Sequence, residues 1–261
     1  MQKGIIDTHV HIWDFEKAEY EWLTNNTTIL NRSYRIDELE PARIEAGITG
    51  GVLVQAANTF KETNYMLETA AATDWIKGVV GWLPLTSPEF TAAALKAYLT
   101  NPYFKGVRHL IHDEPDPRWL LQPAVLQSLS ILAAYDIPYD VVGVTTEHLR
   151  TALEVAAKVP ELRMILDHCN KPPAGKSEWG DLMKEAAQHK NFYVKISGLG
   201  TENVEAPIAF VLEHFGKDRC MCGGDWPVSL LSGSYTDTWE RYKKLLDEPV
   251  LYSNAISFYH L

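Results

Sequence analysis

The feature that most constrains this chain is an alternation repeated eight times, in which a short run of β-branched and apolar residues is followed by a longer amphipathic stretch. The runs fall at 5–13, 51–56, 76–83, 104–111, 138–143, 163–168, 192–197 and 220–225. Between them, apolar residues recur at three- and four-residue spacing over 36–46, 64–72, 90–99, 124–135, 147–157, 178–188 and 204–214, with an eighth helix expected within 237–246. Strand, helix, strand is the pattern of βα units wound around a parallel sheet, because a parallel partner is reached only through a crossover. Eight units in 261 residues match a single (β/α)₈ barrel, a TIM-type α/β fold, better than an open doubly wound sheet. No Gly-x-Gly-x-x-Gly and no phosphate loop follows a strand, and no linker or repeat divides the chain, so one domain over 1–261 is expected. Thr145 and Thr146 precede one helix and Gly47 and Gly216 follow two others, as capping residues should. The last stretch, 249–261, reads as a short helix closing the barrel floor.

Where would such a barrel keep its chemistry? Active sites of this architecture form at the C-terminal ends of the strands. The first strand ends in His9 and His11, and side chains alternate along a strand, so Asp7, His9 and His11 point the same way. Polar groups recur at the other strand ends: Gln55, Trp82, Arg108 with His109, Asp140, Asp167 with His168, Lys195 with Ser197, and Asp225. Asp140, Asp167, His109 and Ser197 read as structural, and Lys195 has an alternative as a buried ion pair with Asp140 or Asp167. The connection 14–35 after the first strand is long and rich in aromatic and amide residues, which fits a binding loop over the mouth.

Composition narrows the partners. A formal charge of −10 disfavours nucleic acid and anionic membrane surfaces, which require a basic face. No apolar run approaches the ~18 residues of a spanning helix and no signal-peptide pattern opens the chain, so a cytoplasmic enzyme of small molecules is expected. The three cysteines, Cys169, Cys220 and Cys222, have no Cys-x-x-Cys spacing and indicate neither a disulfide framework nor a zinc knuckle. A serine or cysteine nucleophile finds no support, because no Gly-x-Ser-x-Gly elbow is present and Cys169 has no evident activating group.

Five segments carry a resemblance: Ile6-Asp7-Thr8-His9-Val10-His11-Ile12-Trp13, Gly106-Val107-Arg108-His109 with Glu114-Pro115-Asp116-Pro117-Arg118-Trp119-Leu120, Leu166-Asp167-His168, Val194-Lys195-Ile196-Ser197-Gly198-Leu199, and Gly223-Gly224-Asp225-Trp226-Pro227. In this order they resemble the amidohydrolase superfamily, and within it the branch of sugar-lactone and dicarboxylate-lactone hydrolases. The resemblance implies that His9 and His11 are the His-x-His of strand one, His168 the histidine of strand six and Asp225 the catalytic aspartate of strand eight. Metal-binding members usually carry a lysine or glutamate on strand four and a histidine on strand five. Arg108 and Asp140 stand there instead, which argues against a binuclear centre. A mononuclear zinc on His9, His11, His168 and Asp225 is chemically reasonable, but the branch also includes enzymes that work without metal, so no cofactor is obligatory.

The expected activity is hydrolysis of an aldonolactone to the open hydroxy acid, with Asp225 as general base and His9, His11 and His168, or a zinc they hold, taking the developing negative charge. Arg108, Lys195, Gln55, Trp82, Trp13 and Trp226 are the expected substrate-binding residues. A neutral aromatic loop and two cationic site residues favour a deoxy or simple hexonolactone over a dicarboxylate. The competing expectations are a decarboxylase of the same superfamily, a hydrolase of another cyclic ester, and a sugar-binding barrel without catalysis. The sequence leaves monomer and homodimer open.

Overall fold

The computed structural model describes residues 4–173, 178–200 and 203–261. Eight parallel strands lie in chain order, β1 Ile5–Val10, β2 Ile48–Val54, β3 Ile76–Gly81, β4 Phe104–His109, β5 Tyr139–Val141, β6 Met164–Leu166, β7 Phe192–Ile196 and β8 Cys220–Cys222. The sheet closes on itself above β8: Asp225 N–H donates to the His9 carbonyl (2.8 Å), His11 N–H to the Trp226 carbonyl (2.7 Å), and the Thr8 hydroxyl to the Cys222 carbonyl (2.8 Å). A TIM-type (β/α)₈ barrel results, with α1 Ile36–Ala46, α2 Phe60–Ala72, α3 Pro88–Tyr98, α4 Pro123–Ala134, α5 Thr146–Lys158, α6 Trp179–Gln188, α7 Glu205–Phe215 and α8 Tyr235–Leu245 outside it.

Local chemistry sets the element ends. The hydroxyls of Thr59, Thr145 and Ser234 accept N–H bonds from the first turns of α2, α5 and α8, and Gly47 ends α1 in a left-handed conformation (φ +76°). The Thr59 cap starts α2 four residues before the periodic apolar pattern does. β2 likewise starts at Ile48, three residues earlier than its apolar run, because Gly50 and Gly51 pair with Ile6 and Asp7 as strand residues and not as a turn. The glycine is required at 51, where a β-carbon would meet the Trp75 ring at 2.3 Å.

Inside the barrel, the lower layer is apolar: Val52, Val54, Val80, Ile165 and Met221 pack against Phe258 and Tyr259 of α9, Asn254–Tyr259, which follows a π-helical turn over Pro249–Ser253. The chain end therefore plugs the floor, and burying each such side chain is worth roughly 1.5–3 kcal/mol. Above this plug the barrel axis turns polar. Among the described residues no helix is long and apolar enough to cross a membrane.

Candidate active site

The upper ends of β1, β4, β6 and β8 bring His11, Arg108, His168 and Asp225 to the lining of a cavity of about 340 Å³. Its apolar walls include Trp22, Leu110, Val142 and Val144, and its polar wall His112, Asp113 and Lys171. His9 is fully buried at the side of His11, with their Nε2 atoms 3.1 Å apart.

Hydrogen bonds assign the imidazole lone pairs. His11 Nδ1 lies 2.7 Å from the Val54 carbonyl, which only a ring N–H can satisfy. His9 Nδ1 faces Asp167 Oδ1 at 3.5 Å, and Arg108 points a guanidinium N–H at His9 Nε2 from 3.3 Å, so His9 carries its lone pair on Nε2. Two Nε2 lone pairs at 3.1 Å would repel, and Asp225 Oδ1 stands 3.7 Å and 3.4 Å from them. A metal ion between them would reconcile the three. The donor chemistry fits zinc, which takes imidazole nitrogen and carboxylate oxygen. His9, His168 and Asp225 can each offer one ligand atom with all of these atoms within 4.8 Å of one another.

Burial pushes the Asp225 carboxyl up, but the neighbouring His168, His11 and His9 outweigh it and hold the group well below the usual carboxylate range. Burial also lowers both His9 and His168, the latter to about 4, so these two imidazoles are neutral at pH 7. The site thus combines a carboxylate with two neutral imidazoles, His9 and His168.

The backbone around it is strained. After β6, His168, Cys169, Asn170 and Lys171 all take left-handed conformations (φ +56°, +52°, +52° and +47°), at a cost of roughly 1–2 kcal/mol per residue. Asp225 is left-handed too (φ +54°). The His168 ring is held by Ser197 Oγ, 2.9 Å from Nδ1. Gly198 (φ +58°) lets the three elements converge, since a β-carbon there would sit 2.5 Å from His168 Nδ1 and 2.7 Å from Asp225 Oδ2. Strain that persists only because its surroundings enforce it is typical of functional sites.

Several expected substrate contacts lie elsewhere. Lys195 is fully buried: its Nζ is 2.6 Å from Asp140 Oδ2 and 3.1 Å from Asp167 Oδ1, and Tyr259 donates to Asp140 from below. It is a structural ion pair with both candidate acids, because an unpaired lysine on the barrel axis would leave a desolvated charge. Gln55 binds the Arg108 Nε–H through Oε1 (3.0 Å) and orients it. Trp82 donates to His109 Nδ1 (3.0 Å), Trp13 to the Arg32 carbonyl (2.6 Å), and Trp226 packs edge-on against Tyr34. None of these five lines the cavity, whereas Arg108 does, fixed by Asp167 at 3.0 Å.

The 14–35 connection does reach the site. Trp13 and Tyr34 exchange backbone bonds (3.0 and 2.8 Å), their rings pack at 5.3 Å, and Trp22, bonded to the Ala56 carbonyl (2.8 Å), lines the cavity. Glu114 and Trp119, from the segment singled out in the sequence, buttress His109 by a 2.6 Å contact and a ring stack at 4.0 Å. Trp22, His112, Asp113 and Lys171 were not evident as site residues, because they sit in loops, beyond the reach of strand-end periodicity.

Comparison with known proteins follows the same lines. The profile of the family described as amidohydrolase matches residues 6–261. An L-fucono-1,5-lactonase from Burkholderia ambifaria is 34% identical over 243 residues, covering 89% of this chain and 83% of the relative. An L-fucono-1,5-lactonase from Burkholderia multivorans is 30% identical over 254 residues, covering 89% and 85%. The crystal structure of an amidohydrolase from Burkholderia multivorans with bound zinc superposes with a TM-score of 0.89 at 28% identity, covering 99% of this chain and 100% of that one.

Proposed function

The chain belongs to the amidohydrolase family, and from that premise we propose that it hydrolyses a sugar lactone to the open hydroxy acid, with Asp225 activating the attacking water. The observation that carries this reading is the Asp225 carboxylate at the lining of a cavity, with His11 Nε2 and His168 Nδ1 at 3.4 and 4.0 Å from its oxygens. The named activity of the two similar lactonases supports the substrate class.

In this mechanism Asp225 accepts a proton from water as its oxygen bonds to the lactone carbonyl carbon. The tetrahedral intermediate then breaks its bond to the ring oxygen, and Asp225 returns the proton to that departing alkoxide. Arg108, locked by Asp167 and Gln55, presents a preorganised donor at the lining. The apolar wall of Leu110, Val142 and Val144 limits competing water. His9, His168 and Asp225, with His11 beside them, would hold a zinc ion, which when bound supplies Lewis-acid polarisation of the carbonyl.

Proton release from a panel of γ- and δ-aldonolactones, including L-fucono-1,5-lactone, tests the reading. Wild type is expected to turn over at least one, and Asp225→Asn to lose about 10²–10⁴-fold in kcat, the usual contribution of a general base. Silence on every lactone, or carbon dioxide evolved from a hydroxybenzoate, would remove it. Metal analysis of the purified protein, with and without chelator, reports separately on zinc.

A further inference from the structure

We propose that Lys171 is the residue that recognises the carboxylate created when the lactone ring opens, an inference that rests on the lactonase reading for the identity of that anion. Hydrolysis converts a neutral substrate into an acid that is ionised at neutral pH. The new carboxylate forms beside Asp225, another carboxylate, so the site needs a cation to hold the product or even to tolerate it.

Neither Arg108 nor Lys195 carries an unpaired charge to supply it. Arg108 is paired with Asp167 at 3.0 Å, and Lys195 with Asp140 and Asp167. Lys171 differs: among the described residues its Nζ meets no carboxylate, and it donates to one neutral acceptor, the Gly198 carbonyl, at 3.2 Å. A partner of that kind is easily exchanged for an anion.

The backbone aims it. The left-handed turn is closed by the Lys171 N–H donating to the His168 carbonyl at 2.8 Å. Residues three apart in one tight turn share a face, and His168 and Lys171 do line the same cavity. Four consecutive non-glycine residues are held left-handed to place them there. Straightened into an ordinary strand exit, the chain would carry Lys171 away from the histidine.

The test compares binding of an aldonate with that of its uncharged alditol, by calorimetry at low ionic strength, for wild type, Lys171→Met and Lys171→Arg. Wild type is expected to prefer the aldonate, and Lys171→Met to lose about tenfold of that preference while Lys171→Arg keeps most of it. In steady state, the inhibition constant for the aldonate should rise about tenfold in Lys171→Met, with the KM for the neutral lactone moving less than about threefold. Equal weakening of aldonate and alditol, or no change in either, would overturn the assignment. The binding comparison needs no turnover, so failure of every lactone to react would count against the lactonase reading alone.

Discussion

Gly198 sets how tightly the site can be built. His168 comes from the turn after β6, Asp225 from the turn after β8, and the chain leaving β7 must pass between them at a distance no side chain allows. Gly198→Ala is therefore expected to push His168 and Asp225 apart and to lower kcat by at least about 100-fold, the scale of a 1 Å misplacement. The accompanying stability loss, read from the urea midpoint, should stay near 1–3 kcal/mol, since one strained residue is added to an otherwise intact barrel. At this scale the sequence was readable for His9, His11, His168 and Asp225, because each follows an apolar run that can only be a strand. For Lys195 the sequence favoured substrate binding and kept the ion pair with Asp140 or Asp167 as the alternative, since a run shows that a residue is ionisable but does not weigh the charges the closed barrel sets against it. Asp140 on β5 and Asp167 just past the end of β6 both meet Lys195 on β7, from some fifty-five and thirty residues away in the chain.

Among the elements, the loops supply Trp22, His112, Asp113 and Lys171 to the cavity lining, and the strand ends His11, Arg108, His168 and Asp225. The 14–35 connection is anchored by Trp13 and Tyr34 at its base and by Arg35 on Asp14 (2.8 Å), and it delivers Trp22 as one wall. Trp22→Ala removes that wall together with its hydrogen bond to Ala56 while leaving the floor untouched. KM for the best lactone is expected to rise about tenfold, with kcat falling less than about threefold, as befits an interaction equally strong in ground and transition states. The existence of this loop could be seen in its length and its aromatics. The left-handed turn at 168–171 could not, because Asp-His-Cys-Asn-Lys contains no glycine and a sequence signals that conformation through glycine above all. Strands β5, β6 and β8 are three residues long, shorter than the runs 138–143, 163–168 and 220–225; past β6 the chain enters the left-handed turn at His168, and past β8 it is left-handed at Asp225.

Across the whole molecule, one column of charge runs up the barrel axis, from Tyr259 through Asp140, Lys195 and Asp167 to His9. Lys195→Met would leave Asp140 desolvated without a cation and Asp167 with Arg108 alone, at an expected cost of about 3–5 kcal/mol, measurable as a fall in the denaturation midpoint even if the cavity itself is unchanged. A loss below about 1 kcal/mol would mean that Asp140 and Asp167 are not both charged. The barrel's seam has a different kind of consequence. Its backbone bonds join His9 and His11 to Asp225 and Trp226, so the strand that completes the barrel and the carboxylate that completes the site arrive in the same few residues. During synthesis His9 and His11 leave the ribosome more than two hundred residues ahead of their partners Asp225 and Trp226. If Asp225 acts as proposed, a chain interrupted before residue 225 is expected to be silent, not merely weakened, with the appearance of activity timing the closing of the barrel.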